Sequence, residues 1–330
     1  MSSKIRAGLI GVGAAVPEKV LTNADLEKMV DTSDEWIRTR TGISERHIAS
    51  KDQATSDLAR EAALKALAAA GIEGSDLSAI IIATSTPDHV FPNTACLLQR
   101  DLKCKNILCF DLQSACSGLL YALEVACSLM RANKKYRHVL VCGAEKLSGI
   151  VDWSDRNTCV LFGDGAGAFV LENRDGEDIL PVSSLGSDGN YWSTLILPAG
   201  GSRMPASAST VENHLHKIHM AGKETFKLAI KAMVESSTRA LELSGVAPED
   251  IALVIPHQAN RRIIQAVAQR LAVPQDRVFD NVNSYGNTSA SSIGIAFDTA
   301  VRTGRLKRGD VVLLTAFGSG LTWGAMVLRY

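Results

Sequence analysis

The chain has 330 residues, 46% of them hydrophobic, and its 35 basic and 35 acidic side chains leave no net charge. That is enough to bury a large core as one large or two medium domains, and the balanced charge gives no case for binding nucleic acid or a membrane surface. The seven cysteines (Cys96, Cys104, Cys109, Cys116, Cys127, Cys142 and Cys159) are odd in number and include no Cys-x-x-Cys pair, which argues against a disulfide framework or a zinc site and for reduced thiols in a cytoplasmic protein.

In chain order, Ala7 to Val16 is apolar but carries Gly8, Gly11 and Gly13 and runs into Pro17-Glu18-Lys19 without a small-residue cleavage site. It reads as a first strand and turn, not as a secretory leader. No apolar stretch is expected to approach the roughly 20 residues of a spanning helix. Ile107 to Leu112 reads as a strand, and Leu119, Ala122, Leu123 and Ala126 then recur at helical spacing. Cys116 therefore falls at a strand-to-helix junction, where unpaired amides and the helix dipole favour the thiolate that a sulfur nucleophile requires. Taken alone, a cysteine there is more commonly a small buried hydrophobe.

Asn, Arg, Asp and Gly cluster between Glu172 and Glu177, which sets the expected boundary between halves 1–174 and 175–330. Gly186 to Gly222 reads as an irregular insertion, the kind of long loop that serves as a lid or binding wall. Ile251 to Ile255 reads as a strand ending at His257, ahead of a helix pattern through Ile263, Ile264, Val267 and Leu271. A histidine at that mouth of a sheet is well placed for function, though a structural histidine fits as well. Asn287 lies in a polar run from Asn281 to Ser292 that opens another helix, and N-capping alone would explain Asn, Thr and Ser there. Last comes Phe317-Gly318-Ser319-Gly320, whose glycines permit close backbone approach and offer an amide as an oxyanion donor.

The chain also repeats itself. Ala66 to Ile81 resembles Ala240 to Ile255, with 174 residues between Asp76 and Asp250. The same offset sets Cys116 opposite Ala290, and two later strand-like blocks answer each other in the same order. This means two duplicated α/β halves, each with helices covering both faces of a sheet. Pseudo-twofold pairing would bring the Cys116 and Asn287 helix starts toward one site.

These motifs, with Thr32-Ser33-Asp34-Glu35-Trp36-Ile37, Arg40-Thr41-Gly42-Ile43 and Phe162-Gly163-Asp164-Gly165-Ala166-Gly167-Ala168, resemble the thiolase-like condensing enzymes, and among them the β-ketoacyl-acyl-carrier-protein synthase III family. The resemblance implies a five-layered αβαβα fold, a homodimer, and a Cys116-His257-Asn287 site. Asn287 argues against the elongating condensing enzymes, which use two histidines. The lack of a cysteine in the C-terminal loop argues against the thiolases.

The implied reaction is decarboxylative Claisen condensation of an acyl-CoA primer, acetyl-CoA by expectation, with malonyl-acyl-carrier protein through acyl-Cys116. No metal, and no cofactor beyond the CoA substrate, is implied. A related acyltransferase or ketide synthase of secondary metabolism is the alternative. Further implied are backbone oxyanion donors at Cys116 and Ser319, and CoA contacts at Thr32, Trp36, Arg40, Arg156, Gly222, Ala259 and Asn260. Carrier-protein docking is implied at Lys227, Gln258, Ala259, Asn260, Arg261 and Arg262, where a solvated basic face is the plainer reading of Arg261. The acyl pocket is expected from Phe162, Phe317 and Phe91, the last closing the partner's pocket. Ser319 stands where the family usually has glycine, and Lys223 where some relatives have asparagine.

Overall fold

The computed structural model describes residues 5–175 and 181–330. Its main elements in chain order are β1 (Ile5–Ala15), α1 (Asp34–Thr41), α2 (Thr55–Ala70), β2 (Ala79–Ala83), β3 (Leu108–Leu112), α3 (Gly118–Ala132), β4 (His138–Glu145), β5 (Gly165–Asp175), β6 (Val182–Ser187), α4 (Gly222–Ser244), β7 (Ile251–Pro256), α5 (Arg261–Arg270), α6 (Ser292–Arg302), β8 (Val311–Gly318) and β9 (Thr322–Arg329).

The strands form two sheets of matching design, β1-β5-β4-β2-β3 and β6-β9-β8-β7. In both, the first two neighbouring pairs are antiparallel and the next is parallel. Where the first sheet adds β3 in parallel to β2, the second has only a lone parallel bridge from Val278 to Val254 of β7. The 174-residue offset survives in single residues. Gly71 and Gly245 end α2 and α4 with φ of 70° and 65°, a left-handed conformation that glycine adopts without Cβ strain. Ala115 and Ser289, with φ of 45° and 50°, each open a short 3₁₀ turn that feeds α3 or α6.

Strands β2, β4 and β8 are buried along their whole length, as sheets covered on both faces require. Between the sheets lie α3 and α6, whose Leu119, Leu123, Met130, Ile293, Phe297 and Ala300 share one core with residues of both sheets. On the outside, α2 packs Leu58, Ala62 and Ala66 against the first sheet, and α4 packs Ala229, Met233 and Ala240 against the second. The order is helix, sheet, helix, sheet, helix, which is the five-layered arrangement.

At the expected boundary, Glu172 to Asp175 complete β5, paired with Ile5 to Gly8 of β1, while Gly176 and Glu177 lie outside the described residues. One expectation needs correction. An apolar stretch of near-spanning length does exist, Ala115–Ala132, which comprises α3 and the turn before it. More than half of it is buried within the fold, because α3 is covered by sheets on both sides.

Candidate active site

Cys116 sits in the 3₁₀ turn between β3 and α3 and is 7% exposed. The left-handed Ala115 bends the chain sharply there, a conformation that costs a non-glycine residue about 1–3 kcal/mol and persists where surrounding contacts enforce it. The C-terminal loop supplies those contacts. Ser117 Oγ lies 2.7 Å from Thr322 Oγ1, which is 3.0 Å from the carbonyl oxygens of both Ser114 and Ser319. A Cβ on Gly318 would come within 2.7 Å of the Cys116 amide nitrogen, so only glycine lets this loop approach so closely.

The resting thiol differs from the expectation of a helix-stabilised thiolate. Burial pushes the Cys116 thiol up to about 11, Ser289 opposes that rise, and the Glu145 carboxylate adds to it. Desolvation outweighs the local donors, so the free thiol is protonated at neutral pH and must lose its proton as it reacts.

His257 follows β7 and is anchored by its amide, which donates to the Thr315 carbonyl at 2.7 Å. The Gln258 amide donates to Ser292 Oγ at 3.4 Å, so the Ser292 hydroxyl can direct its hydrogen to His257 Nδ1, 2.6 Å away. In that tautomer the ring proton resides on Nε2, which makes that nitrogen a donor. Burial pushes the imidazole down to about 4, so it stays neutral. Asn287 is fixed in a parallel way: its Oδ1 accepts from the Ser289 amide at 2.9 Å, which leaves Nδ2 to donate elsewhere.

Cys116, His257 and Asn287 line one narrow cavity of about 110 Å³, together with Phe162, Phe317, Gly222, Ala259 and Asn260. Cys116, Phe162 and Leu195 also line a second cavity of about 490 Å³ with apolar walls from Leu147, Ile150 and Ile218 and with Ser319 at its edge. Leu195 to Leu197, Ala199 and Ile218 come from the Gly186–Gly222 insertion, which therefore forms a wall. Two chambers thus share Cys116 as a lining residue. Ser319 Oγ donates to the Leu195 carbonyl, tying the C-terminal loop to that wall.

At the outer surface, the guanidinium groups of Arg40 and Arg156 lie 4.8 Å and 5.0 Å from the Trp36 ring centroid. Such stacks suit a planar aromatic guest. Arg156 is steadied by the Asp31 carbonyl at 2.8 Å, and the buried Thr32 hydroxyl has no partner among the described residues. Asn260 caps α5 through the Arg262 amide and donates to the Arg40 carbonyl at 3.0 Å, which joins this surface to the narrow cavity. Lys223 and Lys227 are exposed on α4. The Arg262 guanidinium stacks over Phe226 at 5.3 Å, while Arg261 is half-buried and paired to Asp280 at 2.6 Å.

Gln258 departs from its expected place on a docking surface. It is 1% exposed, its amide donates to the Pro256 and Phe279 carbonyls, and its oxygen accepts from the Asn281 amide. Phe91 is 84% exposed and absent from both cavities of its own chain; it can line such a cavity only in a second copy. Sequence reasoning passed over Ser289, Ser292 and Glu145. The offset that aligns Ala115 with Ser289 was the available signal for the first; nothing in the spacing marks Glu145.

Comparisons with known proteins point to one family. The 3-oxoacyl-[acyl-carrier-protein] synthase III family profile matches residues 110–189, and the profile of that enzyme's C-terminal region matches residues 241–330. The β-ketoacyl-[acyl-carrier-protein] synthase III of Caldanaerobacter subterraneus subsp. tengcongensis is 53% identical over 330 residues, covering 100% of this chain and 99% of the relative. The crystal structure of 3-oxoacyl-[acyl-carrier-protein] synthase III from Aquifex aeolicus matches with a TM-score of 0.89 at 48% identity, covering 98% of this chain and 100% of the other. That of a priming β-ketosynthase from the R1128 polyketide pathway matches with a TM-score of 0.90 at 32% identity, covering 98% and 96%.

Proposed function

Because the chain belongs to the β-ketoacyl-[acyl-carrier-protein] synthase III family, we propose that it starts fatty acid synthesis by condensing an acyl-CoA primer, acetyl-CoA in the simplest case, with malonyl-acyl-carrier protein. The observation that carries this reading is the shared cavity of Cys116, His257 and Asn287, where Asn287 Nδ2 is left free to donate and His257 donates through Nε2 when Ser292 holds Nδ1 as an acceptor.

Cys116 attacks the primer thioester, CoA departs, and the acyl group rests in the larger chamber. The malonyl thioester arm of the carrier protein then enters through the narrow cavity. His257 Nε2–H and Asn287 Nδ2–H hold its thioester carbonyl and take up the enolate charge as carbon dioxide leaves. Neutrality of His257 matters here, because a buried donor that never ionises adds no charge to be desolvated. The carbanion attacks acyl-Cys116, and the backbone amides of Cys116 and Ser319 receive the charge of that tetrahedral intermediate. Collapse expels the cysteine as its thiolate, which takes up a proton from solvent, and leaves a 3-oxoacyl-carrier protein. The thioester is its own electron sink, so the chemistry asks for no metal or added cofactor.

Trp36, Arg40, Arg156 and Thr32 hold the CoA nucleotide in this reading, with Gly222, Ala259 and Asn260 along its arm. Arg262 and Lys227, with Arg261 behind them, meet the acidic carrier protein. A homodimer carries Phe91 into the neighbouring acyl chamber, a cytoplasmic setting suits seven free thiols, and the halves join just beyond β5. The likeness to a priming β-ketosynthase supports a second reading, in which the same site primes a polyketide; the accepting carrier protein distinguishes the two.

Intact-protein mass spectrometry with a panel of acyl-CoAs tests the nucleophile. An acyl adduct on the wild type and none on Cys116→Ser is the expected result; no adduct with any acyl-CoA overturns the reading. His257→Ala and Asn287→Ala are expected to slow malonyl decarboxylation far more than acylation of Cys116.

A further inference from the structure

Glu145, the last residue of β4, is wholly buried, and nothing in the mechanism above uses it. Its main partners are all neutral donors. Thr86 Oγ1 donates at 2.6 Å, the Ser85 amide at 3.1–3.2 Å to both oxygens, and Thr84 Oγ1 at 3.4 Å. The fourth donor is Ser289 Oγ, 3.0 Å from Oε1. Ser289 is the left-handed residue at the head of the α6 turn, its amide orients Asn287, and it lines the larger cavity together with Cys116, where its side chain counters the rise of the thiol. A carboxylate without a counter-charge is an expensive thing to bury, and this one is one hydroxyl away from a thiol that must shed a proton.

We propose that Glu145 receives the Cys116 proton through the Ser289 hydroxyl when the thiol is acylated. The S–H bond breaks as its proton passes to Ser289 Oγ, and the Ser289 proton passes to Glu145 Oε1. The freed sulfur pair forms the bond to the thioester carbon. When the tetrahedral intermediate collapses, the bond to the CoA sulfur breaks, and the proton returns by the same route to the departing thiolate. Thiol and thioester have then exchanged partners with no net proton change.

The other candidate acceptor is His257, and proton affinity favours Glu145. Burial raises the carboxyl to about 7 and lowers the imidazole to about 4. Among the groups packed around Glu145, the turn before α3 contributes Cys116, whereas the Thr84–Thr86 segment and Ser289 contribute only hydroxyls and amides. The neighbouring Lys146 turns its ammonium away, onto the carbonyls of Ser50 and Gln53.

The proposal rests on Cys116 being the acylated residue, so the test follows that half-reaction alone. Single-turnover acylation by acetyl-CoA is timed by quenched-flow mass spectrometry from pH 5.5 to 9.5 in the wild type, Glu145→Gln, Glu145→Asp and Ser289→Ala. The wild-type rate should rise through about pH 7, as Glu145 ionises. Glu145→Gln and Ser289→Ala should be slower by about 100-fold at pH 7, lack that inflection and recover only as the thiol itself ionises, with Glu145→Asp in between. Malonyl decarboxylation should lose much less. A glutamine variant that acylates as fast as the wild type, or faster, overturns the proposal, since removing a negative charge beside the thiol eases its ionisation by electrostatics alone. Equal loss of both half-reactions with an unchanged pH profile overturns it too. Should the glutamine variant fail to fold, the aspartate and alanine variants decide by the same criteria. A wild type that takes no acyl group defeats the underlying reading instead.

Discussion

His257 and Glu145 are buried titratable groups of opposite thermodynamic sign. An unfolded histidine takes up a proton below about pH 6.5, whereas folded His257 resists until about 4. Its contribution to stability is therefore complete above pH 6.5 and is lost as the pH falls through that window, by as much as about 3 kcal/mol. Glu145, raised from 4.5 to about 7, works the other way: the folded state holds the extra proton, so stability declines as the pH rises from about 4.5 to 7. Between pH 4.5 and 6.5 the two trends oppose each other. Relative to the wild type, Glu145→Gln should lose stability toward acid across this window by about 2 kcal/mol, and His257→Gln should gain it; urea titrations at a series of pH values measure both. A parallel trend in all three proteins would mean that neither group stays buried as described. Cys116, His257 and Asn287 were legible as residues because each stood in a motif. Glu145 was not, because an acidic residue ending an apolar strand looks the same whether it meets solvent or a thiol.

Helix α6 meets strand β5 backbone to backbone. A Cβ on Gly294 would fall 2.7 Å from the Gly167 Cα, and one on Gly167 would fall 2.5 Å from the Gly294 Cα. Alanine in a helix interior normally gains about 1 kcal/mol over glycine. Here the overpacking cost of about 1–3 kcal/mol opposes that gain, so Gly294→Ala should destabilise the fold in chemical denaturation. Because Asn287 and Ser289 precede α6 directly, the same variant should also slow malonyl decarboxylation; a neutral or stabilising effect would show that the two elements can separate cheaply. Asn260 offers a milder case. Replacing this N-cap by alanine should cost about 1 kcal/mol and, through the lost bond to the Arg40 carbonyl, weaken CoA binding more than turnover. Strand β5 was only partly legible: its polar end, Glu172 to Asp175, reads only as a boundary between halves until β1 is seen beside it.

At the scale of the whole molecule, Val90 and Phe91 stand 89% and 84% exposed, and in the proposed homodimer a second copy covers them. Sedimentation should give twice the chain mass, and Phe91→Glu should shift the protein toward monomer and alter its primer preference. A wild-type monomer with full activity would remove the second copy from the site. The duplication was visible in the sequence because matching strands, helices and the paired Gly71 and Gly245 answer the same local demands, and local demands leave local patterns. From those patterns follow the layered architecture, the place of Cys116 at a helix start and the motifs of His257 and Asn287. Only the folded chain decided that Cys116 is a protonated thiol, that Gln258 faces inward and that Glu145 holds the Ser289 hydroxyl. Those outcomes depend on desolvation and on contacts between residues tens to hundreds of positions apart, which composition and periodicity do not record.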